Sequence, residues 1–432
     1  MASLTGNAQE SWNLEKCISY AIEHNLTVKQ QEAARDQSAV ELNSAKWSRL
    51  PNLSGSASHS FNFGRSLQEN NTYESINTQS TGFNLSTNVP LFTGLQIPHT
   101  IAQAKLNLKA AMEDLNKAKD DISVQVTSAF LQVLFTEELA KVAHEQVSLS
   151  QEMLTQKEGY YRVGKASEAD VAEARTRVAQ DRLSAVQADN NYRLALLDLS
   201  QLLELPSPDG FAITSPEVDA EKLAERLIAP SEVYAEALLI RPSIKAAQYR
   251  LERSAHDIRI AQSAYYPQLS FGAGIGTNYY NVSGRQNSSF GKQLRDNFSQ
   301  YLGFSLSIPL FDRFSTRNRV RSARLQQTAL GWQLEESKKA LYKEIQQAYY
   351  NAVGAESKLQ SSQTADEAAQ ASFNLVKGKY AAGKATATEY NEARTAWMKA
   401  VSDRLQAKYD FVFRTRILDF YRGVPLTLSA QR

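Results

Sequence analysis

Hydrophobic positions along this 432-residue chain follow two different periods. In two regions apolar residues alternate with polar or small ones. The first holds Leu53, Gly55, Ala57, Phe61 and Phe63, then Phe83, Leu85, Thr87, Val89 and Leu91. The second holds Leu269, Phe271, Ala273, Ile275, Thr277 and Tyr279, then Leu302, Phe304, Leu306 and Ile308. A period of two over roughly ten residues predicts strands with one apolar and one polar face. Elsewhere the period is helical. From His99 to Glu158 there is no Gly and no Pro, and apolar or small residues recur in steps of three or four. They run Leu108, Ala111, Leu115, Ala118, Ile122, Val126 and on to Leu154, with one four–four stutter at Ile122. That is a coiled-coil seam, and its Ala and Ser residues permit close helix approach. A continuous helix of about 60 residues measures about 90 Å, so it needs equally long partners from this chain or from copies of it.

The same plan occurs twice. Ala21, Lys29, Ser38, Ala39, Ala45 and Pro51 recur 216 positions later as Ala237, Lys245, Ser254, Ala255, Ala261 and Pro267. Pro90-Leu91-Phe92 recurs at an offset of 219 as Pro309-Leu310-Phe311, as do Tyr161, Gly164-Lys165-Ala166 and Ala174-Arg175 at Tyr380, Gly383-Lys384-Ala385 and Ala393-Arg394. This reads as a tandem duplication, with a period far too long for a solenoid. The first structural repeat covers 1–205, with a β-hairpin near 52–92 and a long helical hairpin near 98–205. A Pro/Ser/Asp-containing linker follows at 206–230. The second repeat covers 231–432, with a β-hairpin near 267–311 and a helical hairpin near 315–422. Two shorter helices open each half, near 12–24 and 27–48, and near 231–240 and 243–264. The stretches 65–79 and 283–297, rich in Asn, Ser, Gln and Gly, read as solvated loop tips.

Composition narrows the class. Length alone predicts two to four domains. With 42% apolar and 22% charged residues the chain is no disordered polymer. Lys and Arg number 48 against 46 Asp and Glu, a net charge of +2, which offers no field for nucleic acid. The single cysteine, Cys17, excludes a disulfide framework, and its helically spaced neighbours Leu14, Ile18 and Ala21 place it in a core. A mean hydropathy of −0.43, without an 18-residue apolar run, excludes a helical membrane span. A membrane β-barrel stays open, because its strands hide in alternation. Met1 to Glu10 carries no basic and no apolar signal segment, so either the protein is cytosolic or a signal peptide precedes this numbering. Aromatics gather at the strand ends (Phe61, Phe63, Phe92, Tyr265, Tyr266, Tyr279, Tyr280, Phe311), as in interfacial girdles. A soluble sandwich would alternate too. Four strands cannot close a wide barrel, but strands pooled from several chains can.

The duplicated helix–hairpin–helix plan resembles the TolC-type outer membrane efflux family over nearly the whole chain. The resemblance rests on the strand starts after Pro51 and Pro267, on Val89–Phe92 and Ile308–Phe311, and on two helical hairpin tips. The tip residues are Val163, Gly164, Lys165, Ala166 and Ser167, and Ala382, Gly383, Lys384, Ala385 and Thr386. The resemblance implies a mainly α protein with membrane β: a trimeric α-helical barrel plus a shared transmembrane β-barrel, four strands per chain. It implies a homotrimer in the outer membrane of a Gram-negative bacterium, with a large periplasmic portion and contact with outer membrane lipid. It further implies a periplasmic adaptor (membrane fusion) protein at the tips and an inner-membrane pump of RND, ABC or similar type. The expected role is exit duct for efflux or type I secretion.

By the same resemblance, acidic residues after the second hairpin turn ring the pore gate. They fall on Glu389 and Glu392, with first-half equivalents Asp170 and Glu173. Three copies would bring carboxylates together near one axis and attract cations. Thr386-x-x-Glu389 and Ser167-x-x-Asp170 are also capping boxes, which gives the same acids a purely structural task. Glu392 lies outside the box. The family's basic latch residue falls on Ala385, leaving Lys384 or Lys165 to substitute, and the tip position after glycine is Lys165, not an apolar residue.

Little else in the chain points to chemistry. Gly272, Gly274 and Gly276 lack the helix and acid of a nucleotide loop. The five histidines show no metal-ligand spacing, and no nucleophile–base arrangement stands out, so neither metal, cofactor nor catalysis is expected. Arg317, Arg321 and Arg324 form a basic stripe, read as a solvated face, as a lining of the duct below the barrel or as a contact with anionic lipid. The competing function is a soluble periplasmic coiled-coil adaptor or scaffold.

Overall fold

The computed structural model describes residues 12–67, 71–208, 210–214 and 228–428. The leading segment, part of the 65–79 loop and most of the 206–230 linker lie outside them. In chain order the elements are α1 (Leu14–His24), α2 (Leu26–Trp47), β1 (Asn52–Asn62), β2 (Arg65–Leu67), β3 (Tyr73–Ser75), β4 (Thr78–Thr93), α3 (Gln96–Arg162) and α4 (Glu168–Leu202). After the linker come α5 (Pro230–Ile240), α6 (Pro242–Ser263), β5 (Gln268–Val282), α7 (Phe290–Asp296), β6 (Ser299–Ser307), α8 (Ser315–Ala381) and α9 (Ala387–Tyr421). The two long helices α3 and α8 both have 67 residues, and the return helices α4 and α9 both have 35.

These elements sort into two compact units, and each draws on both sequence halves. The helical unit takes residues 112–246 and 335–432 together with the first 34. Its core follows the predicted seam: Leu115, Ile122, Val126 and Val133 of α3, with Leu134 beside them, are buried with Leu199 and Leu203 of the α4 end and Phe411 and Val412 of α9. Leu14, Cys17, Ala21 and Val28 join the same cluster, so Cys17 is a core residue. Its thiol is pushed up to about 12 by burial, which removes it from thiolate chemistry at physiological pH.

The helix breaks follow the duplication but not its side chains. Asn25, extended between α1 and α2, donates its amide to the Leu202 carbonyl at 3.1 Å. Arg241, extended between α5 and α6, donates to the Phe420 carbonyl and to Asp120 at 2.9 Å, with its guanidinium over the Phe420 ring. Both side chains thus bind a carbonyl at the end of their own half's return helix, and the Phe420 carbonyl also accepts the Gly423 amide at 2.9 Å.

The second unit covers 35–111 and 247–334. Its sheet is antiparallel in the order β1-β4-β5-β6. Register decides its chemistry. Leu53 lies opposite Thr87, Gly55 opposite Leu85 and Ala57 opposite Phe83; Leu85 in turn faces Ile275, and Ala273 faces Leu302. One face therefore carries Leu53, Phe83, Leu85, Phe271, Ile275, Leu302, Phe304 and Leu306. The other carries Ser54, Ser56, Ser58 and Ser60 of β1, Asn84, Ser86 and Asn88 of β4, and Gly272, Gly274 and Gly276 of β5. On that face the Tyr301 ring lies against Gly274, where a Cβ would come within 2.6 Å of it.

The loops are more ordered than their polar composition suggests. β2 and β3 form a short antiparallel hairpin, and α7 is a helix. The reason for α7 is visible in the backbone accounting. β6 pairs with β5 only as far as Gly276, while β5 continues to Val282. Gln293 of α7 bonds both the amide and the carbonyl of Tyr280 at 3.0 Å, and Asn297 donates to the Asn278 carbonyl at 2.7 Å. Among the described residues no helix is long and apolar enough to cross a membrane.

Candidate gate and hairpin tips

Each tip is built by a glycine that no other residue replaces cheaply. Gly164 and Gly383 both take φ 71°, the left-handed conformation. Gly164 donates its amide to the Tyr161 carbonyl and Lys165 to that of Tyr160; Gly383 and Lys384 do the same to Tyr380 and Lys379. This pair of bonds closes the long helix with a Schellman motif and turns the chain sharply. Ser167 and Thr386 then start the return helices, each in a complete capping box with Asp170 or Glu389. Lys165 and Lys384 are exposed at the two tips.

Capping therefore accounts for two of the four acids proposed for the gate. The Thr386 amide donates to Glu389 at 2.6 Å, its hydroxyl donates at 3.0 Å, and together these bonds hold the Glu389 carboxyl below the usual range. Asp170 is held low in the same way by the hydroxyl and amide of Ser167, with Lys157 adding a smaller effect. Capping does not remove these carboxylates from solvent, since each is exposed or nearly so. Glu392, one helical turn past Glu389, is exposed and forms no ion pair or hydrogen bond among the described residues.

Between the two hairpins lies a cleft lined by Lys157, Asp170, Glu173, Arg177, Tyr380 and Tyr390. Lys157 of α3 stands at its centre, 3.5 Å from Asp170 and 5.2 Å above the Tyr380 ring. Burial alone would lower the Lys157 pKa, yet Tyr380 and Asp170 together outweigh that and raise it. At this cleft Lys157 is a cation that touches both hairpins, while Lys165 and Lys384 stay exposed at the tips. The residue pattern does not single out Lys157, and its contact with Tyr380 joins two repeats far apart in sequence. Above the cleft, Arg394 of α9 is buried with Asp181 of α4 at 2.5 Å and Gln146 of α3 at 2.5 Å. The repeat places Arg394 opposite Arg175, but Arg175 is an exposed partner of Glu158.

In the sheet unit, His99 and His256 meet with Nδ1 atoms 3.2 Å apart, a pair that sequence spacing had kept separate. No group of three or more metal-ligating side chains occurs among the described residues.

A sheet that is apolar on one face and polar on the other, carried by a chain with two long helical hairpins, defines a class: outer membrane channels with a helical barrel and a β domain. The chain belongs to the outer membrane efflux protein family, whose model matches it twice, over residues 17–204 and 233–418. It is 23% identical over 420 residues to the outer membrane protein TolC of Escherichia coli K12, covering 95% of this chain and 82% of TolC. Its fold matches a crystal structure of CusC with a TM-score of 0.78 at 16% identity, covering 96% of this chain and 92% of CusC. It also matches the Campylobacter jejuni CmeC outer membrane channel with a TM-score of 0.75 at 19% identity, covering 98% and 88%. The protein is an outer membrane channel of a Gram-negative bacterium, an exit duct of the efflux and type I secretion class. Family membership decides against the soluble scaffold.

Proposed function

We propose that three copies of this chain close one passive duct, which a periplasmic adaptor docks at the tips 163–167 and 382–386 and an inner-membrane pump supplies. The observation that carries the reading is the sheet: β1 and β6 each have a strand partner on one side only, and four strands enclose no usable lumen. Unpaired edges in a bilayer would leave backbone amides without water, so closure must come from copies of the same strands. Exposed apolar residues on the long helices, such as Leu183 and Val186 of α4 and Trp332 of α8, give those copies matching seams. No step in this work requires catalysis or a cofactor.

Glu389 and Glu392 of each copy form the cation-attracting ring at the gate, and Asp170 and Glu173 lie behind it in the Lys157 cleft. Glu389 keeps its carboxylate charged because the cap stabilises the anion, so capping and gating are served by one side chain. The native mass of the detergent-extracted protein tests the assembly: three chains are expected, and a stable monomer overturns the reading. In bilayer-reconstituted protein, Glu389→Ala with Glu392→Ala is expected to reduce cation preference and divalent block. Unchanged selectivity removes both residues from the gate.

A further inference from the structure

Where β6 hands over to α8, the second repeat carries a feature that the first lacks. Arg317, Arg321 and Arg324 lie on one flank of α8, at positions where the first repeat has Pro98, Ala102 and Lys105. All three are exposed, and none forms an ion pair among the described residues. The acid nearest them in sequence, Asp312, is committed to the start of the helix, accepting the Thr316 amide at 2.7 Å. Three guanidinium groups without acidic partners on one helix flank form a site for an external anion.

Their apolar neighbours identify which one. Beyond Ile308, Leu310 is 92% exposed, Phe311 73% and Phe314 57%. Phe311 and Phe314 pack edge to face at 5.7 Å, and the Arg317 guanidinium lies 5.8 Å from the Phe314 ring centre. An unbroken path thus runs from the apolar strand face through two exposed aromatic rings to the first arginine. Large exposed rings would be costly in a water-filled lumen but suit the boundary between acyl chains and headgroups. From Arg317 to Arg324 the helix rises about 10 Å, enough to span the roughly 5–8 Å headgroup layer on one side of a bilayer.

We propose that Arg317, Arg321 and Arg324 bind the phosphate headgroups of anionic phospholipid in the periplasmic leaflet, with Phe311 and Phe314 seated at the acyl boundary. The inference rests on the outer membrane channel reading. It makes the second repeat an electrostatic anchor, while the first repeat sits in the membrane by its apolar face alone.

Native mass spectrometry of detergent-extracted assemblies, exchanged into equal mixtures of phosphatidylglycerol and phosphatidylethanolamine, tests it. The wild type is expected to retain phosphatidylglycerol preferentially, and the triple variant R317Q/R321Q/R324Q to lose at least about fivefold of that preference while remaining assembled, the factor for one headgroup contact. Equal retention of both lipids by the assembled wild type overturns the inference alone. A wild type that forms no assembly overturns the channel reading as well. Reversal potentials in bilayers provide the second arm. The triple variant should keep the wild-type ion selectivity, whereas a shift toward cations would place the arginines in the duct and overturn the lipid assignment.

Discussion

Arg394 of α9 and Asp181 of α4 form an ion pair at 2.5 Å in which the arginine side chain is 1% exposed and the aspartate 9%. Their helices belong to different repeats, so the pair joins the two hairpins of one chain just beyond the Lys157 cleft. Arg177 also reaches Asp181, at 3.4 Å, and the Arg394 guanidinium is further held by Gln146. Lys157 makes a looser, partly exposed link at the cleft itself. The hairpins are therefore tied by a buried pair at Arg394 and by a partly exposed one at Lys157.

Removing one partner leaves the other charge buried without compensation. Arg394→Ala or Asp181→Ala is expected to destabilise the helical unit by about 3–5 kcal/mol. Arg175→Ala, at the equivalent exposed position, should stay within about 1 kcal/mol. Thermal melting of the purified variants, followed by circular dichroism, checks the contrast. Equal effects at the two positions would show that the duplication, not burial, sets their contribution.

The capping boxes make tip stability depend on pH in one direction. The Glu389 and Asp170 carboxyls have folded pKa values depressed below their ordinary values of 4.5 and 3.8. A depressed carboxylate contributes stability that is fully present above its unfolded pKa and is lost as pH falls through the folded one. Amide exchange at the starts of α4 and α9 should accordingly be slow, relative to the intrinsic rate, at pH 6 and lose protection below about pH 4. Thr386→Ala with Ser167→Ala should show weak protection at both pH values. Protection that persists unchanged at pH 3 would mean the caps do not hold the tips.

Gly94 marks the junction of β4 with α3. It takes φ 61°, and a Cβ there would stand 2.5 Å from the Ser263 carbonyl oxygen and 2.9 Å from Tyr266 Cβ. Both obstacles are fixed by the end of α6, so neither can yield as a flexible side chain would. Gly94→Ala combines left-handed strain of about 1–3 kcal/mol with a backbone clash. A reduced yield of heat-resistant assembly on gels is expected. Gly64→Ala, in open space at φ 133°, tests strain without the clash and should cost less.

Much of this protein is legible in its residue pattern. Period two over residues 53–91 and 269–308 and period three-to-four over 99–158 specify strands and long helices because burial of one face demands those spacings. Glycine at 164 and 383 and the Ser167 and Thr386 boxes set the tips locally, through bonds spanning at most five residues. The duplication, written in the 216 and 219 offsets, gives equal helix lengths. What the pattern left open are contacts between the halves. β4 pairs with β5, so the sheet joins the first hairpin to the second. Arg394 is buried and Arg175 exposed, although both follow an alanine at equivalent positions of the two repeats. His99 meets His256, and Lys157 meets Tyr380. These depend on which faces meet in three dimensions, at separations over which local propensity carries no information. The sequence alone determined the elements and their repetition; only the tertiary structure decided which equivalent side chains became a buried lock, a capped acid or an unpaired arginine.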